Sequence, residues 1–248
     1  PAESLEKMGE NYSENGSVMQ TKLMDVITSF YNESRCVTLP KVALTGANTD
    51  KDSSEGDDQQ IEKSHLVMIK GSVVLKNGIW AGNLDEDQTR GLVWMSDNVK
   101  ETLLVIPYRK SKNKETEQVS LNIYNSRTKI TPEIRNGKML FRVTVHAVGK
   151  INEMSLNTQF SFYEDDLIQI EQAAERTIQN QCESAFSRVA LNYHADVLNF
   201  GARIRQKSGE QWKKIQDHWP ERIAEGLMKY EIHVDVDRLG LQTNDKQA

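Results

Sequence analysis

The sequence has few of the residues that mark specialised chemistry or a membrane span. Of its 248 residues, two are cysteine, Cys36 and Cys182, and five are proline. Two cysteines this far apart make neither a metal-binding pattern nor a disulfide framework, so we expect two small buried thiols. A single bridge is the alternative if the protein is extracytoplasmic. No apolar run reaches the roughly 20 residues that a transmembrane helix requires.

The sequence also lacks an excess of positive charge. It has 31 Lys and Arg against 36 Asp and Glu, for a net charge of −5. No overall field would therefore attract a nucleic-acid backbone. Hydrophobic residues make up 38% and charged residues 27%, which is typical of a globular chain with a hydrated surface. The chain starts at Pro1 with no signal-peptide pattern, so we expect a trimmed chain or a piece of a longer protein.

The first segment, residues 1–44, is predicted to be the helical remnant of an upstream domain. Its apolar residues, among them Leu23, Ile27 and Phe30, recur at the spacing of one buried helical stripe. Pro40 is expected to end the helix, because the residue before a proline is pushed out of the helical region.

Residues 45–63 are predicted to form a flexible linker. They are acidic, rich in Asp, Ser and Gly, and nearly free of large apolar side chains, so they cannot bury enough surface to offset their ordering entropy. The pair Asp57 and Asp58 lacks the alternating ligands and closing glutamate of a calcium loop, which favours a solvated linker. Residues 64–248 would then form the main domain.

Turn signals and alternating strands predict an antiparallel sheet in the main domain. Asn77-Gly78 separates two β-prone runs, which is a strong hairpin signal, and Asn136-Gly137 indicates a second turn. Around residues 139–147 apolar and polar side chains alternate, as in a strand with one buried face. The last strand, near residues 230–237, alternates in the same way and is expected to join this sheet.

Two helices are expected beside the sheet. A short one should follow Asp85, whose side chain suits the N-cap position. A long one, Glu164–His194, should lie across the apolar face of the sheet, so the fold class is α+β. Its predicted buried stripe comprises Leu167, Ile170, Ala174, Ile178, Cys182, Ala185, Val189 and Tyr193.

The segment from Ala195 to Trp219 combines an apolar stripe, tryptophans and basic residues. Trp212 and Trp219 with the cations could form a surface that stacks bases and binds phosphates. The tryptophans also occupy the apolar positions of the stripe, which favours burial and leaves the cations as a solvated face. Gly201 is expected to allow close approach of a neighbouring element. The cations in question are Arg203, Arg205, Lys207, Lys213 and Lys214.

No enzyme motif appears in the sequence. It contains no nucleophile elbow, zinc-protease motif or phosphate-binding glycine loop, and its five histidines are scattered. His233, Asp235 and Asp237 could hold a metal from one strand face, but their spacing of roughly 7 Å favours a polar outer face. We therefore expect no catalytic residue, cofactor or metal.

Several motifs resemble the C subunits of spore germination receptors, the Ger(x)C or GerAC-like lipoprotein family. The likeness rests on "ADVLNFGARIRQKSGEQWKKIQDHWPE", "YEIHVDVDRLGL" and the upstream "GNLDEDQTRGLVWM", and it runs from about Ser64 to Leu241. Glu153, in "GKINEM", stands where this family usually has a glutamate. The other signature positions are held by Asp196, Phe200, Gly201, Trp212, Lys213, Lys214, Trp219 and Gly240.

The resemblance implies a non-catalytic lipoprotein that works in spore germination. Members of that family are anchored by a lipid such as palmitate to the outer face of the inner spore membrane, and they assemble nutrient receptors with two membrane-spanning subunits. The family's upstream domain and lipid-bearing cysteine are not found in this sequence, since Cys36 is too internal to be the acceptor. The expected role is to scaffold or couple the membrane subunits. The alternatives are an envelope protein that captures a small solute in an apolar cavity, and a hydrolase with two carboxylates in one cleft.

Overall fold

A computed structural model describes six stretches of the chain. They are residues 18–45, 66–99, 101–109, 117–135, 138–154 and 164–237. The predicted linker lies outside them except for Thr45, and so does the predicted turn at Asn136-Gly137.

A three-stranded antiparallel sheet comes first in the chain. It consists of β1 (Cys36–Thr45), β2 (Leu66–Lys76) and β3 (Ile79–Leu84), in that order. The predicted hairpin at Asn77-Gly78 is confirmed, because these two residues join β2 to β3 with φ angles of 52° and 75°. Positive φ at both positions is what a two-residue turn between twisted strands requires.

Within residues 18–45 the helical prediction was too broad, and Leu23, Ile27 and Phe30, expected to form a buried stripe, are exposed. The helix α1 covers only Leu23–Ser29, and Pro40 lies inside strand β1 rather than at a helix end. β1 is an edge strand, and its register shifts between Pro40 and Val42. A proline is tolerated at an edge or a bulge because its missing N–H leaves no bond of the sheet unmade. The pairing of β1 with β2 also joins this segment to the following residues.

The second sheet has four strands. It contains β4 (Thr102–Tyr108), β5 (Glu117–Arg135), β6 (Lys138–Met154) and β7 (Leu227–Val236), in that order. The predicted antiparallel arrangement is confirmed for β4, β5 and β6. The last strand joins the sheet as expected but runs parallel to β6. The chain returns to β7 through a long helical connection, and such a crossover brings a strand back in the same direction.

The helices support the predicted α+β class. They are α2 (Glu86–Met95), α3 (Glu164–Phe186), α4 (Phe200–Lys207), α5 (Gly209–Ile215) and α6 (Trp219–Ala224). Asp85 is the N-cap of α2, as predicted: its carboxylate accepts the Gln88 N–H at 2.8 Å. The predicted long helix is shorter than Glu164–His194, because α3 passes into a π-helical turn at Ser187–Asn192 and His194 has φ 49°.

The long helix α3 lies against α2, β4 and β7. Its predicted stripe is buried from Leu167 to Val189, while Tyr193 is half-buried. The polar side of α3 reaches the outer edge of β7. There the Glu175 carboxylate accepts the Val234 N–H at 3.3 Å, and the Glu171 carboxylate accepts the Val236 N–H at 3.1 Å.

Candidate functional site

The carboxylate of Asp196 is buried where helix α4 begins. It is 3% exposed and accepts three hydrogen bonds: from the N–H of Phe200 at 2.8 Å, the N–H of Gly201 at 2.9 Å and the indole N–H of Trp219 at 3.0 Å. The first N–H groups of a helix have no partner within the helix. Asp196 therefore accepts two N–H groups at the start of α4 and holds the first residue of α6 at the same time.

Burial raises the pKa of Asp196 above its ordinary value. The three hydrogen bonds and the charge of Arg203 act in the opposite direction, because they stabilise the ionised form. All the hydrogen bonds come from fixed backbone or ring groups. This arrangement suits a carboxylate that holds chain segments together.

Gly201 lies directly against the two tryptophans. A Cβ atom at this position would lie 2.7 Å from Cη2 of Trp212 and 3.0 Å from Nε1 of Trp219. The indoles pack edge to face with their centroids 5.2 Å apart, and they are 5% and 3% exposed. No side chain fits between α4 and the tryptophans, which explains a glycine inside a helix despite its cost of about 1 kcal/mol.

Phe200 connects this region to the main sheet. Its ring centroid lies 4.5 Å from that of Phe141 in β6 and 5.9 Å from that of Phe186 at the end of α3. One aromatic side chain thus joins α4, the sheet and the long helix. We call Phe200 and its four partners the Asp196 cluster: Asp196, Phe200, Gly201, Trp212 and Trp219.

The N-terminal segment is attached next to the Asp196 cluster. The side-chain oxygen of Asn199 accepts hydrogen bonds from Ser34 at 3.0 Å and Asn32 at 3.4 Å, and Arg205 pairs with Glu33 at 2.6 Å. The cluster therefore lies at the junction of the two sheets.

Glu153 does not belong to the Asp196 cluster. It lies near the end of β6, paired with Ser120 of β5, whereas Phe141 is near the start of β6. Twelve residues of strand correspond to roughly 40 Å. Gly240, the last signature residue, lies outside the described residues.

A second buried contact joins α2 to α3. A Cβ atom on Gly91 would lie 2.0 Å from the backbone oxygen of Gln181. The Gln181 side chain accepts the indole N–H of Trp94 at 3.0 Å and donates to Asp87 at 3.0 Å. Gly91 and Trp94 belong to the upstream signature segment, but Gln181 was not among the predicted residues. A lone glutamine in an amphipathic helix gives no local signal that it is buried.

The basic residues after Gly201 mostly face solvent. Arg205, Lys207, Lys213 and Lys214 are exposed, whereas Arg203 is half-buried. Because the tryptophans between them are buried, this surface offers no exposed indole on which a base could stack. Pro220, expected to end the last helical stripe, instead lies in the first turn of α6, where a proline needs no N–H partner.

The polar face of β7 shows no convergence of metal ligands. His233 stacks on His146 of β6 with centroids 5.0 Å apart, and Asp237 accepts a hydrogen bond from the Tyr124 hydroxyl at 3.3 Å. Within the described stretches, no group of three or more His, Cys, Asp or Glu side chains could hold a metal ion.

A surface cavity of about 480 Å³ lies beside the Asp196 cluster. Its wall is largely polar and includes Thr21, Asn32, Asn98, Asn199 and Arg203. It is therefore unlike the apolar cavity expected of a protein that captures a small solute. In the part of the chain that the structure covers, no helix is long and apolar enough to cross a membrane.

The chain belongs to the family described as spore germination B3/GerAC like, C-terminal, whose model matches residues 70–240. This confirms the resemblance drawn from the motifs. Spore germination protein KC of Bacillus subtilis (strain 168) is 25% identical over 231 residues, which are 92% of this chain and 55% of that protein. Spore germination protein B3 of the same organism is 24% identical over 172 residues, or 68% of this chain and 44% of that protein.

The fold is also that of a solved structure. The crystal structure of the GerBC protein matches with a TM-score of 0.63 and 19% identity, over 89% of this chain and 65% of that one. The chain spans about half the length of the two curated relatives.

Proposed function

We propose that this chain is part of a non-catalytic subunit of a spore nutrient receptor, and that it scaffolds or couples two membrane-spanning subunits during germination. The family match over residues 70–240 carries the proposal. The structure of the signature region supports a non-catalytic role, because Asp196, Trp212 and Trp219 pack against and hydrogen-bond to one another.

The proposed location is the outer face of the inner spore membrane, with a lipid anchor on the full-length protein. One acyl chain gives only marginal, reversible membrane binding, so a stable location needs a second contact. Under this proposal the membrane subunits supply part of that contact.

Site-specific photocrosslinking in spores tests the proposed assembly. The crosslinking residue would replace exposed side chains on different faces, such as Tyr31, Leu103 or Lys213, in the full-length protein. We expect adducts with membrane-spanning receptor subunits from one face and none from the opposite face. The assembly role is wrong if two results are found together. The membrane-spanning subunits form no adducts, and a strain that lacks this protein still contains those subunits and still responds to nutrients.

A second experiment tests the absence of catalysis. His146 and His233 form an exposed stacked pair, and histidine is the side chain that most often serves as a general acid or base. Spores carrying His146→Ala and His233→Ala together should germinate at the normal rate. Loss of germination with normal protein abundance and normal crosslinks would indicate chemistry at this pair.

A further inference from the structure

The most exposed large apolar side chains of the described residues lie in two neighbouring segments. Leu23, Met24 and Tyr31 of α1 and the turn after it are 76%, 66% and 87% exposed. Ile79 and Trp80, at the tip of the β2–β3 hairpin, are 71% and 62% exposed. Side chains this exposed protrude from a surface instead of lining a groove. We call Leu23, Met24, Ile27, Tyr31, Ile79 and Trp80 the α1–hairpin patch.

The two segments of the patch are in direct contact. A Cβ atom on Gly78, at the hairpin tip, would lie 2.8 Å from Cε1 of Phe30. The Asn77 N–H donates to the backbone oxygen of Arg35 at 2.8 Å. The helix and the hairpin tip are therefore neighbours on the surface of the protein.

Cationic side chains border the patch. Lys22 precedes Leu23 and is exposed, and Arg35, bonded to the hairpin turn, is exposed as well. The acidic groups of the same segment offset this positive charge only in part. Glu33 pairs with Arg205 at 2.6 Å, whereas the exposed Asp25 carboxylate accepts the Lys22 backbone N–H at 2.8 Å and keeps its charge. The border thus complements a negatively charged surface.

We propose that the α1–hairpin patch inserts into the interface of an anionic lipid bilayer. Tryptophan and tyrosine favour this zone because their rings are apolar and their N–H or O–H groups stay hydrated, and leucine, isoleucine and methionine enter its acyl side. Lys22 and Arg35 would lie at the level of the anionic headgroups. The patch would be a membrane contact on the folded domain, separate from any lipid anchor, and it does not depend on the proposed receptor role.

Vesicle flotation of the full 248-residue chain tests this proposal. We expect binding to vesicles of phosphatidylglycerol mixed with phosphatidylcholine, and weaker binding to phosphatidylcholine alone. The double variant Tyr31→Glu, Ile79→Glu should bind at least about tenfold more weakly, because charge is costly below the headgroups. Leu191→Glu with Leu227→Glu is the matched control, since these side chains are exposed apolar residues elsewhere, and it should bind normally.

The cationic border has its own test. Each Lys or Arg near an anionic surface favours binding about fivefold, so Lys22→Gln with Arg35→Gln should weaken binding to the anionic vesicles about 25-fold. Binding to phosphatidylcholine alone should change little. An equal loss on both vesicles would contradict a headgroup role for these residues.

Tryptophan fluorescence reports insertion in the unmodified chain and needs no variant to fold. Of the four tryptophans only Trp80 is exposed, so anionic vesicles should shift the emission to shorter wavelength and brominated lipids should quench it. Trp80→Phe should abolish both signals. The proposal is overturned if no vesicle binds, if the Glu double variant binds normally, or if Trp80 emission stays unchanged on binding. A different result would make the patch a protein-docking surface. In that case the unmodified chain does not bind vesicles, and the double variant Tyr31→Glu, Ile79→Glu loses crosslinks to a protein in spores.

Discussion

Trp212 and Trp219 lie in the Asp196 cluster with 5% and 3% of their surface exposed, whereas Trp80 at the hairpin tip is 62% exposed. The indole N–H of Trp219 donates to a buried carboxylate at 3.0 Å, while that of Trp80 reaches only the nearby Asn83 side chain at 3.4 Å. The same residue type thus contributes to stability in one region and to surface character in the other. What distinguishes the two regions is whether a close-packed neighbour such as Gly201 meets the ring.

The largest effect should come from removing a cluster indole. Trp212→Ala should lower the free energy of unfolding by about 3–5 kcal/mol, because it leaves a cavity beside Gly201. Trp80→Ala, the matched control, should change it by less than about 0.5 kcal/mol. Urea unfolding of the two variants measures both values. A similar loss of unfolding free energy in both variants would contradict the proposed difference between the two regions.

Removing the central carboxylate should have the next largest effect. Asp196→Ala leaves two helix N–H groups and one indole N–H buried without an acceptor, at a cost of about 3 kcal/mol. Asp217→Ala removes an exposed aspartate and should be nearly neutral. Thermal unfolding followed by circular dichroism compares the two. An unchanged midpoint for Asp196→Ala would mean that water replaces the carboxylate.

A smaller effect is expected from one methyl group on α4. Gly201→Ala places a Cβ atom 2.7 Å from Trp212 and should destabilise the fold by about 1–3 kcal/mol through overpacking. Gly209→Ala meets nothing within 4 Å, so its better helix propensity should leave stability unchanged or slightly higher. Chemical denaturation measures the free energy of unfolding of both variants. A decrease for Gly201→Ala with no decrease for Gly209→Ala would establish the close contact between α4 and Trp212. A stabilising Gly201→Ala would show that the indoles can move aside.

The smallest change concerns the thiol beside the cluster. Burial raises the pKa of Cys36 to about 11, so its thiolate is scarce at neutral pH and becomes common only as the pH approaches that value. Labelling by a thiol reagent at neutral pH should be at least about 100-fold slower in the native chain than in denaturant. Burial also raises the pKa of Cys182. Rapid labelling of the native chain would show that this side of the cluster opens readily.

Features set by neighbouring residues could be predicted from the sequence. The Asn77-Gly78 turn and the Asp85 cap depend on a few adjacent residues, and the stripe of α3 depends on periodicity alone. The failed predictions depend on distant partners. Pro40 fits a strand only because β1 is an edge strand, and β7 is parallel to β6 because of the crossover before it.

The Asp196 cluster shows the same limit within one site. Asp196 and Phe200 were identified by family resemblance, whereas Gly201, Trp212 and Trp219 were also expected to pack from the apolar stripe. Nothing in their spacing indicates that the carboxylate bonds the indole of Trp219. That contact spans 23 positions and depends on how α4, α5 and α6 fold back on one another. Glu153 is also a position of the family resemblance and lies far from the cluster, because such a signature records the whole fold and not one location.

The carboxylates of Glu171 and Glu175 accept hydrogen bonds from two outward N–H groups of β7, those of Val234 and Val236. An added strand from another molecule would need those same donors, so it would have to displace two glutamates first. Pairing of a further strand is thereby hindered at the C-terminal end of β7. A protein that binds at this end of β7 must therefore contact the side chains of α3 and β7. Contacts through side chains are more selective than the pairing of backbone strands.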